Sequence, residues 1–196
     1  MLKRIWRYIW HDDSWGSFVL NIALAFVIIR FIVYPVLGAA LGTGFPIVAV
    51  VSGSMEHDGT FDEWWQSMCC QDALCIVKRP QASFYESRGM DASAFAKYPF
   101  RNGFNKGDIM VLFSPKNVNV GDVIVFRGDN RAEPIIHRVI ATDEYQTKGD
   151  HNCGVADFEK AIPQNRVVGK AVLRVPVLGY IKIVFVELLN LFWVAT

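Results

Sequence analysis

From Ser17 to Leu41 the chain reads SFVLNIALAFVIIRFIVYPVLGAAL, an apolar run with a single charge, Arg30. About 20 such residues cross a hydrocarbon core of about 30 Å as a helix, so 17–41 is expected to be a transmembrane signal anchor. The basic residues Lys3, Arg4 and Arg7 precede it, whereas Gly42 to Met55 carries no Lys or Arg. Positive charge stays inside, which makes 1–16 a cytoplasmic N-terminus and places the rest on the extracytoplasmic face of the cell membrane. Arg30 requires either a partner or a route to the interface; a span ending near Arg30 to Tyr34, with Pro35 bending the chain along the surface, provides the second. A C-terminal apolar helix over 177–196 contains Lys182, Glu187 and Asn190 in one helical sector, which suits a helix lying in the interface or, if those groups are hidden, a second span.

Between these segments, 42–176 reads as a mainly β domain. Short β-like runs recur at Phe45 to Val51, Asp108 to Phe113, Asp122 to Phe126, Ile135 to Ala141 and Val167 to Val175, punctuated by Gly, Pro and Asn. Two open with the same Gly-Asp phrase, Gly107-Asp108 and Gly121-Asp122, which reads as turn chemistry. With 52% apolar and 20% charged residues the chain is not disordered, and 20 basic against 19 acidic side chains leave no basic stripe for nucleic acid. The segment 56–106 interrupts the pattern. It is rich in Trp64, Trp65, Phe84, Tyr85, Phe95, Tyr98 and Phe100 and reads as an inserted, partly helical lobe, with helices over Asp62 to Met68 and Asp91 to Lys97. Its aromatics suit either lipid headgroups or a small core. Cys69, Cys70 and Cys75 lie there, far from Cys153. Their spacing does not match a zinc knuckle, and an oxidising compartment allows a disulfide, Cys70 with Cys75 being one pairing that spacing alone does not fix.

Three blocks carry chemistry: Ser52-Gly53-Ser54-Met55 directly after the first apolar strand, Ile135-Ile136-His137-Arg138-Val139, and Lys148-Gly149-Asp150. A serine hydroxyl becomes a nucleophile when a base takes its proton, and histidine does so near neutral pH when a carboxylate holds its other ring nitrogen. His57 is close to Ser54 in sequence, which rarely gives that geometry, and His151 reads as a solvated loop residue.

In this order, behind an N-terminal anchor, the blocks resemble the type I signal peptidase family, in its Ser-His branch of archaea, the endoplasmic reticulum and some spore-forming bacteria. The resemblance takes in both Gly-Asp strands and extends through Gly169-Lys170-Ala171-Val172 to Gly179-Tyr180; only 56–106 stands outside it. It implies a signal-peptidase-like β-sheet catalytic domain, with Ser54 as nucleophile and His137 as base. Ser52 would serve with the Ser54 N–H as an oxyanion donor, and Val50, Val51 and Met55 would lie along the substrate. The family's box usually reads Lys-Gly-Asp-Asn-Asn with a second aspartate six positions after the first. Here Asp157 stands seven positions on, so Asp150 and Asp157 are both carried as the acid. The expected function is a membrane-bound serine endopeptidase that removes signal peptides from exported preproteins after small residues, with no metal and no organic cofactor. Expected partners are those signal peptides, membrane lipid and subunits of a secretion machinery or signal peptidase complex. The alternative is a non-catalytic anchored β-domain that binds exported chains or a partner complex.

Overall fold

A computed structural model describes residues 14–70, 75–128 and 133–181, together with 6, 8, 10, 12, 183 and 184. The apolar run forms one continuous helical rod over Trp15–Leu41, long and apolar enough to cross a membrane. It consists of α1 (Trp15–Ile28), a π-helical turn (Ile29–Val33) and α2 (Tyr34–Leu41). Ser14 caps its start, accepting from Ser17 N, and Gly42, at φ +65°, ends it. The helix does not end between Arg30 and Tyr34 but continues through Pro35 to Leu41. A proline removes one donor and crowds the carbonyl four residues earlier; the wider π turn just before it, in which Tyr34 N donates to Ile29 O, takes up that misfit and the rod continues. Most of 1–16 and the part of the expected 177–196 helix beyond residue 184 lie outside the described residues.

The domain is mainly β. Its six-stranded antiparallel sheet comprises β1 (Ile47–Ala49), β4 (Ile109–Phe113), β5 (Val123–Phe126), β6 (Ile135–Ala141), β7 (Gln146–Lys148) and β8 (Val167–Val175), in the order β1-β4-β8-β5-β6-β7. A small hairpin, β2 (Met68–Cys70) with β3 (Lys78–Pro80), stands apart. The continuous apolar run of β5 is buried on both faces. Val123 and Val125 enter a core with Val50, Met55, Phe104 and Leu112, while Ile124 and Phe126 pack with Val118, Val139 and Ile162. The two Gly-Asp turns are structural twins. Asp108 and Asp122 each accept at Oδ2 from the backbone N–H three residues back, of Asn105 and Asn119, both at 2.8 Å. Each also pairs with a cation of β8, Arg174 at 2.7 Å and Lys170 at 3.2 Å.

The lobe contains α3 (Phe61–Gln66), α4 (Gln81–Glu86) and α5 (Ala92–Phe95). A capping box at Thr60 and Glu63 starts α3, and Asp91 caps α5. Of the two roles open to the lobe's aromatics, the core takes the largest. Trp64, Trp65, Tyr85 and Phe95 are buried with Ala82, Met90 and, from β6, Ile140. All four cysteines are paired, Cys70 with Cys75 inside the lobe and Cys69 with Cys153 across 84 residues.

Candidate active site

Ser54 lies in the tight turn that leaves β1, closed by Glu56 N donating to Gly53 O at 3.0 Å. His137 is the third residue of β6. The two strands are four places apart in the sheet, yet the turn after β1 brings the side chains together: Ser54 Oγ is 2.9 Å from His137 Nε2. On the other side of the ring, His137 Nδ1 hydrogen-bonds to Glu159 Oε1. A carboxylate only accepts, so Nδ1 carries the ring proton and Nε2 is left to accept from the serine. Glu159 is fully buried and its other bonds are made: Oε1 accepts from Thr147 Oγ1 at 3.0 Å and Oε2 from Ala156 N at 3.1 Å. Ser52 Oγ is 3.2 Å from Ser54 Oγ.

Glu159 thus stands where Asp150 or Asp157 was expected, and neither aspartate touches His137. Asp157 opens the 3-10 turn Asp157–Glu159 and faces solvent, paired with Lys160 at 2.6 Å, which lowers its carboxyl pKa. At three residues per turn, positions two apart point to different sides, so Glu159 faces inward. The signal that finds it is a glutamate three residues after the turn's N-cap Ala156, the position from which a side chain reaches back to the cap N–H.

Asp150 is buried on the opposite side of β6. It accepts from Arg138 Nε at 2.9 Å and Nη2 at 2.6 Å, from Tyr85 OH at 3.0 Å and from His57 Nε2 at 3.0 Å. Burial opposes its charge, but the Arg138 guanidinium and the His57 bond hold its carboxyl well below the ordinary carboxylate range. Arg138 directs its remaining donors at the carbonyls of Pro99, Phe100 and Gly121. His57 stacks on Trp64 with ring centroids 3.6 Å apart, and burial lowers its pKa. Lys148 Nζ donates among Gln81 Oε1, Tyr85 OH and the carbonyls of Gly149 and Asp150, and burial pushes its ammonium down to about 7.

Gly149 marks the closest approach of the two sides. A Cβ there would lie 2.7 Å from Ser54 O and 2.8 Å from His137 Nε2, so no other residue fits beneath the pair. A cleft of about 530 Å³ opens on Ser54 and His137, lined by Val48, Val51, Val125, Ile135 and Phe158. Val50 and Ser52 also line it. Met55, expected along the substrate, is instead fully buried, with Sδ 3.3 Å from Asp150 N; it joins the serine turn to the buried side. Among the described residues no cluster of His, Cys, Asp and Glu could hold a metal ion.

No family model matches the chain. Among curated proteins, it is 37% identical over 98 residues to the signal peptidase complex catalytic subunit SEC11 of Yarrowia lipolytica, a match covering 43% of this chain and 56% of that protein. The counterpart of Lachancea thermotolerans is 37% identical over 95 residues, covering 41% and 56%, and that of Plasmodium falciparum 29% over 93 residues, covering 41% and 50%. The chain spans a little over half the length of the first two relatives and half that of the third. The N-terminal apolar helix and mainly β domain fit a signal-peptidase-like fold, and over these 93 to 98 residues the chain is similar to SEC11 catalytic subunits, of the endoplasmic-reticulum-type signal peptidase I branch.

Proposed function

We propose that the chain is a membrane-anchored serine endopeptidase that removes signal peptides from exported preproteins, with Ser54 as nucleophile, His137 as general base and Glu159 as the acid that orients it. The observation that carries this reading is the continuous chain Ser54 Oγ, His137 Nε2, His137 Nδ1, Glu159 Oε1, open to a cleft at its serine end. Ser54 Oγ attacks the scissile carbonyl as its proton passes to Nε2. Glu159 stabilises the imidazolium so formed, and that proton then goes to the leaving amine. Water repeats the sequence to release the acyl group. Ser52 Oγ and the Ser54 N–H would donate to the tetrahedral oxygen.

The cleft suits an extended peptide. Among the described residues β1 is paired on one side only, by β4, so a substrate strand can add beside Val48 to Val51. The apolar lining and modest volume favour small side chains near the cut. The rod Trp15–Leu41 would hold the serine close to the membrane surface, where the apolar part of a signal peptide ends. Two disulfides suit an oxidising, extracytoplasmic compartment. Partners would be signal peptides, lipid and other subunits of a signal peptidase complex. The test is cleavage of a model preprotein in detergent, with the product's new N-terminus sequenced. A single cut after a small residue, absent in Ser54→Ala, is expected; folded wild type that binds the preprotein without cutting it would favour a binding domain.

A further inference from the structure

The segment between β7 and Glu159 carries the orienting acid, yet its first half is held by the lobe. Gln81, buried at the start of α4, donates from Nε2 to the carbonyls of His151 at 3.3 Å and Asn152 at 3.2 Å. Tyr85 of the same helix donates to Asp150. Cys69 of β2 is bonded to Cys153. Beyond Cys153 the segment turns through Ala156 into the 3-10 turn, and Glu159 meets Thr147 and His137. Cys153 is therefore the covalent tie between the lobe and this segment, six residues before the acid, and Val155 beyond it also packs against the lobe's core. The Cys70–Cys75 disulfide joins two residues of the lobe five positions apart.

We infer that the Cys69–Cys153 cross-link and Gln81 are positioning residues: the lobe acts as a clamp that keeps Glu159 in register with His137, and not as a lid over the cleft. This rests on the proposed Ser54–His137–Glu159 relay. A covalent tie to a packed aromatic core confines the segment at its midpoint, and loss of register of about 1 Å at a reacting group costs up to about 10²-fold in rate. Most of the cleft wall comes from β1 and β6, with Asn152 and Phe158 of the tied segment completing it, so the larger effect is expected on kcat and the smaller on KM.

The test uses the full chain in detergent with Cys69→Ala/Cys153→Ala, on the wild-type and Glu159→Gln backgrounds, and Cys70→Ala/Cys75→Ala as control. Three quantities are read: kcat and KM per titrated active site, and the low-field proton resonance of His137 Nδ1–H. The clamp predicts a kcat about tenfold lower with KM within about twofold, loss or broadening of the resonance, no further loss on the Glu159→Gln background, and an unaffected control. Gln81→Met, which keeps the cross-link, should show the same pattern to a smaller degree, and serves if the double variant does not fold. Unchanged kcat with the resonance intact, or an equal fold-loss on the Glu159→Gln background, would overturn the inference. Wild type that shows the resonance and loses it without the cross-link, yet cuts no preprotein, would defeat the proposed function and leave the clamp standing.

Discussion

His137 and Arg138 are neighbours on β6 whose side chains leave opposite faces of the strand, and each face of the molecule there contains a histidine–carboxylate pair. On the cleft face, His137 is bonded to Glu159 and its second nitrogen meets Ser54 beside open space. On the lobe face, His57 is bonded to Asp150 and stacked on Trp64, and its second nitrogen is buried with no hydrogen-bond partner among the described residues. The pairs share their residue chemistry and differ in what surrounds them. Asp150 already accepts from Arg138 and Tyr85 and is locked in a charge network, whereas Glu159 is braced by one hydroxyl and one amide and gives its third bond to an imidazole with a serine hydroxyl beyond it. A histidine and an acid in contact are therefore not a relay; the third partner and its access to substrate make one.

Exchanging what each face can do gives the largest contrast. His137→Ala or Ser54→Ala should reduce preprotein cleavage by about 10⁴-fold or more, while His57→Phe, which retains the stack on Trp64, should leave a measurable rate; single-turnover assays on folded protein check both. Glu159→Gln, keeping shape and removing charge, should lower kcat by about 10³- to 10⁴-fold, and Asp157→Asn should change it by less than about twofold because that carboxylate only meets a surface lysine. The lobe face should instead register in stability. Arg138→Met strands the Asp150 carboxylate and is expected to cost about 3–5 kcal/mol, read from denaturant unfolding of the detergent-solubilised chain.

The buried ammonium sharpens the same comparison through pH. Folded Lys148 titrates near 7 against an ordinary 10.5, so between those values the unfolded chain holds a proton that the folded one lacks. Its contribution makes stability rise with pH from about 7 to 10.5 and stay level below 7. Melting temperatures across pH 7 to 10 should show that slope in wild type and lose it in Lys148→Met. Asp150 acts in the acid range: its lowered pKa adds stability above the ordinary carboxylate value, lost as pH falls through the folded one.

Strands with long apolar runs were legible in the sequence because burial on one or both faces leaves a direct pattern. Ile135–Ala141 and Val167–Val175 keep the expected bounds. The expected Phe45 to Val51 shortens to Ile47–Ala49; Val50 still bonds to Asp108 O and Gly107 N just before β4 as the chain turns toward Ser54. Polar β7 and the β2–β3 hairpin carry no such pattern; their neighbours decide them. Ser54 and His137 stand in blocks that motif spacing identifies. Glu159 escaped because counting along the chain selects aspartates at a family distance, while the geometry of one 3-10 turn decides which acid faces inward. The Cys69–Cys153 bond spans 84 residues, and no local spacing encodes such a pairing.

If His137 activates Ser54 under the hold of Glu159, the rate of acyl transfer to the serine depends on that glutamate. The purified chain, Glu159→Gln and Asp157→Asn would be mixed with an activated ester of a small-residue peptide, quenched on a millisecond scale and measured by intact and peptide mass. The expected result is one acyl group on Ser54, formed at the same rate in wild type and Asp157→Asn and at least about 10²-fold more slowly in Glu159→Gln. Acylation at another residue, or an equal rate in Glu159→Gln, would contradict it.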